Sequence, residues 1–239
     1  MELTPPKYRN KITVITPTVR PEGLNLVQKA LEQQEFTNFD WIVCSTENPH
    51  TWATWIPNPK KNEGDYWAIY KAYNAMIRQA DSELIVSWQD FTYAKPDTLE
   101  RLWFHYQNDP KSIVGAVGNK YQNDKWLVKT WQDPREKGFD FHEVLPQEVE
   151  YNLCSFPREA VYAAGGFDES LDQYSSVCGL DFSMRLAIIG GYKFFLDQSI
   201  KSYSTEHGRL KDWEENEPFN GPWQKKLEEY NHNPKLNFL

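Results

Sequence analysis

Short apolar runs alternate with amphipathic stretches through the first half of this chain, and that alternation narrows its possible folds most. Residues 11–16 (KITVIT), 40–44 (DWIVC), 84–87 (LIVS) and 112–117 (SIVGAV) each read as a strand. Runs this apolar, without a polar face, suit strands covered on both sides. Between them, Leu24, Val27 and Leu31 fall on one face of a helix. A second helix over 65–80 places Tyr66, Ile69, Tyr73, Ile77 and Ala80 on one stripe, and a third runs from Pro96 to about Tyr106 with proline near its start. Strand and helix in strict alternation predict an α/β fold, a mostly parallel sheet flanked by helices.

The second half is less regular. Residues 126–131 and 148–154 read as strands separated by a charged loop at 133–147. A short helix at 157–164 ends on Gly165-Gly166, and a helix at 179–189 ends on Gly190-Gly191, both C-terminal stop signals. A late strand at 192–196 and a C-terminal helix at 221–231 complete the chain. Residues 45–61, polar and rich in Pro, Asn and Trp, read as a loop. No repeat or composition break divides the sequence, which predicts one domain over 1–239.

The buried run at 84–87 stops at Trp88-Gln89-Asp90. In open α/β sheets ligands bind in the crevice beyond the carboxyl ends of the strands. An Asp there can hold a divalent cation against a diphosphate, or it can simply close a turn. Bulk properties restrict the partners. A net charge of −8 argues against non-specific nucleic-acid binding, which needs Lys and Arg to neutralise phosphates. No apolar run approaches the roughly 18 residues of a membrane span, and the N-terminus MELTPPKYRN lacks a signal-peptide core. Cys44, Cys154 and Cys178 are widely spaced and odd in number, as expected for free thiols in a cytoplasmic protein.

Four pieces in order resemble the GT-A-fold glycosyltransferases of family 2: ITVITPTVR (12–20), the segment from NEGD to Asp90, FPREAVYAAGGFDE (156–169) and GLDFSMRLAIIG (179–190). The resemblance implies a donor half at about 11–117, an acceptor half at about 118–210 and a tail at 211–239. It implies a metal-dependent, inverting transfer of sugar from a nucleotide-diphosphate sugar to a saccharide or other hydroxyl acceptor. Asp90 would hold Mn²⁺ or Mg²⁺ on the donor diphosphate, with Gln89 beside it where the family has a second acid. His207 matches a histidine that completes the metal site in many relatives, although a surface role is also open to it. Asp181 matches the general base, and also suits the first turn of a helix. Pro17, Thr18 and Arg20 would line the nucleotide pocket. Ser45 or Glu47 would read the base where the family has Asp-Asp-Gly-Ser. The thinned motifs leave an alternative, a catalytically weakened sugar-nucleotide-binding module. Lys71 and Asn74 read as helix-surface residues with a donor-facing role as the alternative, Asp168 as an organiser of its turn, and Trp52, Trp55, Trp126 and Trp131 as packing or sugar-stacking rings.

Overall fold

The computed structural model describes residues 10–61, 63, 68–138, 140–173 and 179–207. The expected C-terminal helix, Tyr66 and Cys178 lie outside these residues. The first half runs β1 (Asn10–Pro17), α1 (Leu24–Glu32), β2 (Phe39–Ser45), β3 (Thr54–Pro57), α2 (Ile69–Gln79), β4 (Ser82–Trp88), β5 (Thr92–Ala94) and α3 (Thr98–Asn108). The second runs β6 (Ser112–Tyr121), β7 (Lys129–Gln132), β8 (Phe141–Glu143), β9 (Leu153–Pro157), α4 (Arg158–Ala163), α5 (Leu180–Ile189) and β10 (Lys193–Thr205).

The strands form one sheet in the order β3-β2-β1-β4-β9-β6-β10-β5, with β7 beside β6 and β8 beside β10. The long ladders, β1 with β2 and β4, β2 with β3, and β6 with β10, are parallel. β9 enters antiparallel between β4 and β6. The apolar runs are explained by burial on both sides. Ile12 and Val14 of β1, Trp41 and Val43 of β2, and Leu84 and Val86 of β4 pack with α1 and α3. Ile15, Ile42 and Ile85, of opposite parity, pack with α2, α4 and α5 around Tyr73, Phe156, Phe167 and Phe182.

Three expected loops contain short strands. β3 lies within 45–61, β5 follows Asp90, and β8 interrupts 133–147. β3 and β8 pair at the margins of the sheet and show little buried apolar surface, so their sequences carry no strong alternation. β10 outruns its expected end at 196 because a register shift between Asp197 and Lys201 lets it continue beside β6 to Thr205.

Backbone groups at helix starts find distant partners. The Asp172 carboxylate accepts from the N–H of Tyr70 at 2.8 Å and of Lys71 at 3.3 Å, capping α2 from across the molecule. Asn74 bonds both the N–H and the carbonyl of Phe167 and the Glu169 carboxylate, so it braces the Gly-Gly-Phe-Asp-Glu turn. Asp168 orders the same turn by accepting from Ser170.

Candidate active site

The parallel ladders bring the ends of β1, β4, β6 and β10 to one edge of the sheet. Thr18 lies one residue past β1, Asp90 two past β4 and His207 two past β10. The Thr18 hydroxyl donates to Asp90 Oδ2 at 2.6 Å, and Arg20 Nη2 donates to Oδ1 at 3.3 Å. The Arg20 N–H in turn donates to Thr18 Oγ1 at 2.8 Å. The Arg20 guanidinium stands 5.2 Å from the Phe91 ring centroid, and the His207 ring meets Phe91 edge-on at 4.8 Å.

Phe91 is the pivot of this corner. It adopts φ +54°, a costly conformation for a bulky side chain. Its N–H donates to the Gly23 carbonyl and its carbonyl accepts from the Thr205 N–H, both at 3.1 Å. Those two bonds tie the Asp90 tip to the start of α1 and the end of β10. Gly23 is needed for close approach: a Cβ there would lie 2.5 Å from the Phe91 ring. Neither Gly23 nor Phe91 carries a sequence signal for this role.

Burial pushes the Asp90 carboxyl up, and Arg20 and Thr18 offset only part of that effect. Desolvation thus outweighs the compensation that Asp90 receives from its neighbours. His207 is pushed down to about 4, because shielding against Phe91 and the nearby Arg20 and Lys120 charges all disfavour its protonated form. At neutral pH it presents an uncharged imidazole.

The turn after β2 divides the roles expected there. Pro17 is the last residue of β1 and pairs with Cys44. The buried Ser45 hydroxyl donates to the Glu47 carbonyl at 2.6 Å and accepts from Trp55 Nε1 at 3.1 Å. Ser45 is thus engaged within its own turn and holds the Trp55 indole of β3. The Glu47 side chain is exposed on that turn. Asn58, unmarked by any motif, donates to the Thr18 carbonyl at 3.3 Å and accepts from Cys44 Sγ at 3.2 Å. Burial lifts the Cys44 thiol to about 12, so it packs rather than reacts. Cys44 and Cys154 are free thiols.

Asp181 sits in the first turn of α5 and is fully buried. Arg185, one helical turn on, donates from Nε to Asp181 Oδ2 at 2.8 Å and from Nη1 to the Ala164 carbonyl. The acid–arginine spacing of four is readable in the sequence. Residues 151 and 152 connect this acid to the other. The Gln89 N–H donates to the Asn152 carbonyl at 2.9 Å, while the Tyr151 hydroxyl bonds Ser183 of α5 at 3.1 Å. Gly179, at φ +84°, precedes α5 against Tyr151, where a Cβ would stand 1.8 Å from the ring. Among the described residues no three His, Cys, Asp or Glu side chains converge as a ready-made metal site.

No family model matches the chain, and no curated protein matches it. Solved structures do. S. aureus TarS, a family-2 glycosyltransferase, superposes with a TM-score of 0.62 at 15% identity, over 82% of this chain and 37% of that one. Its fragment 1–349 in complex with UDP-GlcNAc superposes with a TM-score of 0.62 at 15% identity, over 84% of this chain and 60% of the fragment. The chain has the GT-A fold. It spans well under half the length of whole TarS. A further TarS structure contains UDP. No described helix of this GT-A chain is long and apolar enough to cross a membrane.

Proposed function

We propose that the chain transfers a sugar from a nucleoside-diphosphate sugar to a hydroxyl acceptor with inversion at the anomeric carbon. The observation that carries this reading is the Thr18–Arg20–Asp90 corner at the strand ends of a fold shared with structures that hold UDP-GlcNAc and UDP. Arg20 supplies a cation for the donor diphosphate, Pro17 and Thr18 line the nucleotide, and exposed Glu47 takes the base-reading task that Ser45 is too engaged to perform. Gln89, adjacent to Asp90 and anchored through Asn152, sets the position of the tip.

A divalent cation fits this corner. Asp90 is a buried carboxylate only partly neutralised by its neighbours, and His207 is neutral, the form in which imidazole ligates metals. Asp90 and His207 would hold Mn²⁺ or Mg²⁺, with donor phosphates and water completing the shell. The bound cation would offset charge on the departing diphosphate.

In the transfer, the acceptor oxygen forms a bond to the anomeric carbon as the bond from that carbon to the diphosphate oxygen breaks. The acceptor proton passes to Asp181, which Arg185 orients. The test is a transfer assay on a panel of nucleotide sugars and acceptors, with the product anomer assigned by NMR. Inverted product and nucleoside diphosphate release support the reading. Retained configuration removes the Asp181 mechanism, and nucleotide-sugar binding without turnover on any acceptor favours the binding-module alternative.

A further inference from the structure

A cavity of about 440 Å³ opens beside Phe91, between the start of α1, the turn at 122–124 and the end of β10. Its size lies within the roughly 300–1,000 Å³ of small-molecule sites. Three carboxylates, Glu22, Asp124 and Glu206, stand in its lining against one ammonium, Lys29. That balance disfavours a phosphate-bearing ligand relative to a neutral one. Carboxylates only accept hydrogen bonds, and sugar hydroxyls donate them. Asn25 adds a group that can do both, and Phe91 adds an apolar ring.

The frame of the cavity is built under strain. Among the described residues three non-glycines have positive φ: His50, Phe91 and Trp126. Phe91 lines the cavity, and Trp126, at φ +57°, closes the turn that forms one wall. Trp126 packs on Tyr93, Tyr121 and Tyr203 at ring distances of 5.9, 5.5 and 5.7 Å. Its N–H donates to the Asn123 carbonyl at 3.2 Å. Strained residues held this firmly cluster at ligand sites. The aromatic group fixes the wall before any ligand arrives.

We infer that this cavity is a saccharide subsite outside the donor corner and takes a neutral, hydroxyl-rich sugar unit. Naming that sugar as part of the acceptor rests on the transferase reading, whereas the binding itself does not. The test uses the full chain with maltotriose, cellotriose and chitotriose, followed by saturation-transfer NMR. Glucose is compared with glucose 6-phosphate in the same experiment. The expected result is binding of at least one trisaccharide, and glucose 6-phosphate weaker than glucose. Asn25→Trp, at an exposed helix position, should weaken trisaccharide binding by about tenfold or more, and Asp124→Lys should weaken it too, with the UDP-induced Tm shift unchanged. Absence of binding by all three trisaccharides, tighter binding of the phosphorylated sugar, or unchanged binding in Asn25→Trp would each overturn the inference. Trisaccharide binding without any response to a wider panel of nucleotide sugars keeps the cavity and sinks the transferase reading.

Discussion

Arg20 Nη2 lies 3.3 Å from Asp90 Oδ1, and that contact leaves a buried carboxylate only partly neutralised. Residues shaped for stability do not usually keep such a deficit, whereas functional sites do. A folded carboxyl pushed above its ordinary value is best tolerated in acid, and its cost appears as pH rises through the folded pKa. Asp90→Asn should therefore leave Tm at pH 7 unchanged or higher, with a flatter pH dependence than the parent, while donor binding falls. A large drop in Tm without loss of binding would make Asp90 a structural residue.

Gly23→Ala tests the Phe91 pivot. The added methyl collides with a ring that is already strained, so either the ring or α1 must move. Overpacking of this kind costs about 1–3 kcal/mol. Chemical denaturation should show that loss, and UDP titration should show weakened binding, because Asp90 is the neighbour of Phe91.

At the start of α5, Gly179→Ala and Asp181→Asn separate positioning from chemistry. The first forces a side chain into Tyr151 at a backbone angle that suits glycine, and should unfold much of the population at 37 °C. The second keeps the shape of the side chain and removes the base. Transfer should fall by about 100-fold or more, with the donor-induced Tm shift retained. A retained transfer rate would remove Asp181 from the base role.

How much of this was legible in the sequence follows from where each signal resides. Ile12, Leu84 and Val86 announce buried strands because both faces of β1 and β4 are covered. Asp90 is marked by its place at the end of a buried strand, whereas Thr18 and Asp181 are marked only by the resemblance of their segments to family 2. Gly23 and Phe91 meet only in three dimensions, and no spacing predicts a ring over a glycine 68 positions away. Asp172 caps α2 across 102 residues, equally beyond local reading. Arg185 was legible as the i+4 partner of Asp181. Ser45 shows the opposite failure, a plausible residue type already committed to its own turn.

Away from the site, His105 Nε2 and Asp197 Oδ2 lie 2.7 Å apart and fasten α3 to the bulge of β10. Burial alone would raise Asp197, but bonds from His105 and Ser199 outweigh it and hold its carboxyl below 3.8. The resulting stability is fully present above that value and fades as pH falls through the folded pKa. Asp197→Asn should cost about 1.5–3 kcal/mol at pH 7. It should also diminish the parent's loss of stability in acid, as read by denaturant midpoints from pH 7 to 3.

Titration calorimetry of UDP and UDP-GlcNAc against the parent and Asp90→Asn, with and without Mn²⁺, tests the central claim most directly. At least one of these ligands should bind the parent, more tightly with Mn²⁺, and Asp90→Asn should lose the metal-dependent gain. At one hundred times its Kd, such a ligand should also stabilise the parent by about 2.7 kcal/mol. Failure of a wider nucleotide-sugar panel to bind, or equal binding by Asp90→Asn in both conditions, would contradict that claim.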